Sequence, residues 1–165
     1  MTRALTFVAA TLSLALAGGA AVATNPIPKE SPMTIHAATG PFEVTLASQP
    51  PSEAAHEAGL ARRSIAKQFH GALEARSTGE MLSSGDPASG SAGYVALERV
   101  RGTLDGRSGS FVLQHSSTLA RGTPQQSITV VPDSGTEALA GLEGRMVVDI
   151  APGGAHAYRF EYTLP

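Results

Sequence analysis

The stretch that most constrains this chain is Gly93–Leu119, GYVALERVRGTLDGRSGSFVLQHSSTL. It sets Asp105-Gly106 between two strand-forming runs, and a type I′ hairpin turn needs positive φ at both central positions, which Asp and Gly tolerate. With those two residues as the loop, the register follows. Leu104 faces Arg107, Val100 faces Phe111, Glu98 faces Leu113, and Ala96 faces His115. Strand side chains alternate between faces, so Tyr94, Ala96, Glu98 and Val100 share one face with Phe111, Leu113 and His115. Val95, Leu97, Arg99, Val112 and Gln114 take the other. Both faces mix apolar and polar residues. A sheet with one wet face would be cleaner, whereas a closed barrel with a partly polar lumen produces this mixture.

The flanking sequence extends the same sheet. Gly40–Ala47 alternates Phe42, Val44 and Leu46 with Glu43 and Thr45, and Pro50-Pro51 stops it. Ser52–Gly59 reads either as a helical turn, with Ser52 as N-cap and Gly59 just past the end, or as a solvated loop. Leu60–Ser83 is a long β-rich region. Ile65, Lys67 and Phe69 lie on one face of it, and Gly71 marks a turn, a bulge or a close strand crossing. Ser83–Gly93 reads as a loop by composition. After the hairpin, Arg121–Pro124 is a turn and Gln125–Val131 a strand. Pro132–Gly144 is a Gly-rich segment whose Leu139 and Leu142 suit a helical turn over a barrel end. Arg145–Ile150 is a strand, and Ala151–Gly154 is a turn. His156–Leu164 then puts His156, Tyr158, Phe160, Tyr162 and Leu164 on one face. About eight strands joined by short connections predict an all-β fold, a single antiparallel barrel.

The first residues form a separate object. Arg3, an apolar run from Ala4 to Ala17 and then Ala21-Val22-Ala23 have the order of a signal peptide and its cleavage site. The expected organisation is a signal peptide over 1–23, a linker over 24–38 and a barrel over 39–165. An uncleaved anchor is the alternative, although the Ala and Gly content makes it weakly hydrophobic. No Cys follows Leu16-Ala17-Gly18, which excludes a lipoprotein anchor. The expected location is therefore secreted or periplasmic, with no membrane contact after cleavage. Translation from Met33 would instead give a cytoplasmic protein.

Charge and composition exclude several functions. The net charge is −2 without long runs, unlike the basic footprint of a nucleic-acid binder, and Trp is absent, so no nucleic-acid partner is expected. With no Cys, disulfides, thiolate nucleophiles and Cys-ligated metals are impossible. There is no G-x-S-x-G, phosphate-binding loop, G-x-G-x-x-G or H-E-x-x-H pattern. His36, His56, His70, His115 and His156 are scattered, so no local metal site is encoded, and no cofactor is expected. The candidates for chemistry are Glu98 and His115, diagonal neighbours on adjacent strands, with Tyr94 opening the same face. A carboxylate, an imidazole and a phenol converging in a lumen could move a proton or orient a polar ligand. The same face could equally be a buried polar cluster that fixes register, or could point to solvent. If it lines a lumen, Tyr94, Glu98, Phe111, Leu113 and His115 are the expected ligand-binding residues. Arg99 and Arg101 read as a solvated face, and His156, Tyr158 and Tyr162 as core and barrel-end packing.

Four segments carry a family resemblance: GPFEV, KQFHGALEARSTGEML, GYVALERVRGTLDGRSGSFVLQHS and VVPDSGTEALAGLEGRM. From about Thr34 onward the chain resembles a bacterial family catalogued as domain of unknown function 3224. That family usually has a Trp shortly after the first strand, where this chain has LASQPP. The family looks like the allene-oxide-cyclase and dirigent type of barrel, to whose Gly-rich segment SGTEALAGLEG is similar. The resemblance implies an eight-stranded antiparallel barrel, a homo-oligomer and a central cavity for a hydrophobic small molecule. Three readings of function follow. One is an exported barrel binding a small hydrophobic or amphipathic molecule in its lumen. Another is an isomerase or cyclase-like enzyme using Glu98, His115 and Tyr94. The third is a structural or interaction module whose lumen is filled by side chains, and cavity volume discriminates it from the others.

Overall fold

The computed structural model describes residues 34–165. The expected signal peptide, residues 24–33 of the expected linker and Met33 all lie outside the described residues. The elements in chain order are β1 (His36–Gln49), α1 (Glu53–Glu57), β2 (Ala61–Phe69), β3 (Leu73–Asp86), β4 (Ser91–Leu104), β5 (Arg107–Ala120), β6 (Thr123–Val130), β7 (Glu143–Ile150) and β8 (His156–Thr163). Each strand pairs antiparallel with the next, and β1 pairs with β8, closing the barrel.

The central hairpin forms as the sequence requires. Asp105 and Gly106 have φ of 47° and 78°, and the β4–β5 ladder has the expected pairs, including Glu98 with Leu113 and Ala96 with His115. The turn is also tied to the rest of the barrel. The Asp105 N–H donates to the Ala72 carbonyl at 2.8 Å, and the Tyr162 hydroxyl donates to Asp105 Oδ2 at 2.5 Å. The mixed polarity of the two faces is explained by closure. Ala96, Glu98, Val100, Phe111, Leu113 and His115 point into the lumen, while Val95 and Leu97 remain exposed on the outside.

Several expected boundaries move. β1 begins at His36, not Gly40, so His36–Ala38 belong to the barrel and pair with Tyr162, Glu161 and Phe160 of β8. Of the readings for Gly71, the turn and the close strand crossing both hold: it links β2 to β3 with φ of 96°, and a Cβ there would fall 2.8 Å from the Thr39 carbonyl oxygen of β1. For Ser52–Gly59 the helical turn is correct: α1 covers Glu53–Glu57, with the Ser52 hydroxyl accepting from the Ala55 N–H as N-cap and Gly59 past the end at φ of 65°. The expected loop over Ser83–Gly93 is instead mostly strand. β3 and β4 stay paired out to Asp86 and Ser91, leaving a short 3-10 turn at Pro87–Ser89. Small and polar residues are poor strand formers in isolation, but two long paired strands carry them. β6 begins at Thr123 and so contains Pro124. Proline is tolerated there because β6 pairs with β7 only at Ile128–Met146 and Thr129–Arg145, which leaves its early residues at an edge.

The core fills one half of the barrel. Phe69, Leu73, Val100, Leu104, Phe111, Leu113 and Phe160 are buried there. The end is closed by Leu139, the last residue of a 3-10 turn at Glu137–Leu139, and by Leu142 just after it, both buried, much as the helical spacing predicts. Tyr158 belongs to the same core: its hydroxyl accepts from the Leu73 N–H at 2.8 Å and donates to the His70 carbonyl at 3.1 Å.

Candidate functional site

The lumen changes character at the level of Glu98. On one side lies the packed core. On the other lies an open cavity of about 500 Å³. Its walls come from the C-terminal part of β1, the start of β2, the end of β3, the start of β4, the end of β5 and the open stretch of β6 and β7. The poor pairing between β6 and β7 lies at this end: Gln126 and Ile128 line the cavity from β6, and Val148 and Ile150 line it from β7. Strand alternation sets the inward row of β2, which runs Ala61, Arg63, Ile65 and Lys67 along the cavity and ends on Phe69 in the core.

The floor is a four-residue polar cluster. Glu98 projects inward from β4 and is 1% exposed. Its Oε1 accepts from Lys67 Nζ at 2.7 Å and lies 2.9 Å from His115 Nε2, while its Oε2 accepts from the Ser77 hydroxyl at 2.7 Å. Lys67 comes from β2, Ser77 from β3 and His115 from β5, so four consecutive strands converge on one carboxylate. The ammonium also lies 5.4 Å and 5.7 Å from the Phe42 and Phe69 ring centres, within cation–π range. Burial alone would raise the Glu98 pKa. The His115 hydrogen bond, the Lys67 and His115 charges and the Lys67 hydrogen bond outweigh it and bring the value down to about 2.

That ionisation fixes the roles of the other groups. An ionised carboxylate only accepts hydrogen bonds, so His115 Nε2 carries the proton between them. A neutral His115 then has its lone pair on Nδ1. Among the described residues Nδ1 has no hydrogen-bond partner, and no fully buried side-chain nitrogen or oxygen there lacks one. Nδ1 is therefore accessible, and the space beside it is the cavity that His115 lines. Carboxylate, imidazole and accessible ring nitrogen form the arrangement in which a carboxylate holds a histidine in one tautomer for proton transfer or hydrogen bonding.

The other expected residues are placed differently. Tyr94 lines the cavity, but its hydroxyl accepts from Gln126 Nε2 at 3.2 Å and bonds to neither Glu98 nor His115. Phe111 and Leu113 share the inward face but do not line the cavity. They lie on the closed side of the Glu98 layer, where Phe111 stacks on Phe160 at 5.7 Å. Covering of that end by Leu139 and Leu142 makes them core. His156, expected as packing, is half-buried and lines the cavity. Arg99 and Arg101 are exposed, as a solvated face requires. Among the described residues no three of His, Asp or Glu gather in a way that could hold a metal ion.

Sequence reasoning missed Lys67 and Ser77. A signal for Lys67 was present: it alternates with Ile65 and Phe69 in an otherwise apolar row, where an ammonium needs a buried partner. Ser77 had no comparable signal.

A family described as a protein of unknown function, DUF3224, matches residues 38–162. A crystal structure of a protein of unknown function from that family, from Shewanella oneidensis MR-1, is 43% identical to this chain. The similarity covers 80% of this chain and 98% of that one, with a TM-score of 0.73. No curated protein matches the chain.

Proposed function

The chain belongs to the DUF3224 family, and since that family's description names no activity, we propose from the site itself that the barrel binds a small hydrophobic or amphipathic molecule in the open half of its lumen. One observation carries this reading: a cavity of about 500 Å³ with apolar walls and a polar floor. Its size lies in the ~300–1,000 Å³ range of small-molecule sites, which are largely apolar with a few placed polar groups. Ile65, Met81, Ile128 and Val148 supply apolar wall, while Lys67 and His115 supply polar groups at the floor. The open seam between β6 and β7 supports ligand entry at this end. An open lumen also counts against an interaction module with a filled interior. The likeness to allene-oxide-cyclase and dirigent barrels is part of the same proposal, as a shared use of the lumen.

Native mass spectrometry of the protein purified from its own host tests the reading. A co-purifying small molecule, lost when Ser117 on the cavity wall is replaced by Trp, is the expected result. A molecule retained unchanged by Ser117→Trp would place binding elsewhere.

The Glu98–His115 pair favours a second reading, an isomerase or cyclase-like enzyme in which His115 Nδ1 moves a proton on the captured molecule. Conversion of that molecule by wild type, abolished by His115→Gln with binding retained, separates the enzyme from the receptor. We also propose export, as the residues around Arg3 and Ala21-Val22-Ala23 suggest. The homo-oligomer implied by the resemblance would cover the exposed Val95 and Leu97 of β4.

A further inference from the structure

We propose that the ligand of this cavity is an amphipathic organic anion, carrying a carboxylate or similar head that docks on Lys67 and His115 at the floor. The inference rests on the receptor reading above and adds the chemical class of the ligand. It is carried by the charges of the wall. No Asp or Glu lines the cavity among the described residues. Two permanent cations do, Arg63 and Lys67, together with His115 and His156.

The two cations are placed by one strand. Arg63 and Lys67 lie four residues apart on the inward row of β2, with Ile65 between them. Along a strand that spacing is about 13 Å. Lys67 is therefore at the floor, and Arg63 lies nearer the mouth. Arg63 lines the cavity and has no hydrogen-bond or ion-pair partner among the described residues, so its charge is not neutralised in the wall. A cation at the mouth of a low-dielectric cleft attracts anions and repels cations before they enter.

Glu98, the carboxylate of the floor cluster, is not among the lining residues and already accepts from Lys67, His115 and Ser77. Lys67 has Glu98 as its one hydrogen-bond partner among the described residues, and an ammonium has three donors. His115 Nδ1 is free of protein partners. An anionic head can accept from a remaining Lys67 N–H and from a protonated Nδ1, or arrive as the neutral acid and donate its proton to that nitrogen. Either route gives the same complex. An organic cation would meet Arg63 and Lys67 and find no lining carboxylate. A purely apolar molecule would cover the Lys67 and His115 groups without bonding them, which is costly.

The ~13 Å between Lys67 and Arg63 along β2 suits a medium alkyl chain, so the probes are decanoate, decanol and decylammonium, which differ in the head alone. Isothermal titration calorimetry on the wild-type protein near pH 7 gives their affinities. Decanoate is expected to bind at least about tenfold more tightly than decanol, with decylammonium weakest. The preference should shrink in Arg63→Met and shrink further in the double variant Lys67→Met/Glu98→Gln, which keeps Arg63 but removes the floor ammonium. The double variant removes both charges of the buried pair together, so the lumen is not left with an unpaired carboxylate if Lys67→Met alone fails to fold. Equal binding of decanoate and decanol, or preference for decylammonium, overturns the anion and leaves the receptor standing. A decanoate preference undiminished in the double variant overturns the floor as its site. Failure of all three probes to bind overturns the receptor reading and this inference with it.

Discussion

Glu98 is a buried charge held in place by three donors, and both its pH response and its response to mutation follow from that. Its pKa is depressed from an ordinary 4.5 to about 2. A depressed carboxylate contributes stability above its unfolded pKa and loses it as pH falls toward the folded value. The stability difference between wild type and Glu98→Gln should therefore be flat above about pH 5.5 and change by about 3 kcal/mol between pH 5 and 2, to the disadvantage of wild type. Urea unfolding of both proteins across that range measures it, and a pH-independent difference would mean that the cluster does not hold the charge. Lys67→Met alone should cost about 3–5 kcal/mol, because it leaves Glu98 buried without its cation, whereas Lys67→Met/Glu98→Gln should cost less than the single change. At this scale the sequence was half legible. Glu98 and His115 lie on one hairpin, and a local turn fixed their register. Lys67 and Ser77 lie on β2 and β3, and their convergence on Glu98 depends on two further ladders joined through a turn at Gly71 that the residues alone left ambiguous.

Two glycines decide how the elements meet. Gly106 has φ of 78° with no atoms near its missing side chain, so Gly106→Val should cost backbone strain and little else, about 1–3 kcal/mol by chemical denaturation. A variant as stable as wild type would mean that this turn does not set the hairpin. Gly79 is different. It pairs with Glu98, and a Cβ there would fall 2.2 Å from the Leu97 carbonyl oxygen and 2.7 Å from Glu98 Cβ. Gly79→Ala should therefore push β3 away from β4 at the level of the cluster and destabilise the protein by about 1–3 kcal/mol. NMR of the His115 ring should report a changed environment. An unaltered His115 signal would contradict the close approach. Strand alternation made most elements readable, and the pattern from His156 to Leu164 was the clearest. The stretch from Ser83 to Gly93 was misread because its Gly, Ser and Pro content is that of a loop. What holds Gly85 opposite Ala92 and Asp86 opposite Ser91 is the length of the paired strands behind them, which local composition does not carry.

At the scale of the whole molecule, one barrel is divided into a packed half and an open half. Closure was legible from the strand count and the mixed faces of the hairpin. The division was not, because it depends on where Leu139 and Leu142 land and on how far β6 and β7 pair. The N-terminal expectation belongs to this scale too: natively expressed protein should begin at Thr24, and N-terminal sequencing that finds Met33 or Met1 would contradict export by cleavage. The central claim is that the open half receives a small molecule. A methyl-resolved NMR titration with decanol tests it most directly, because it also reports on the exposed apolar residues outside the barrel. The account predicts saturable shifts at Ile65, Met81, Ile128 and Val148, with Leu104 and Leu142 in the packed half unmoved. Shifts confined to Val95 and Leu97 on the outer face, or no shifts at the cavity methyls, would contradict it.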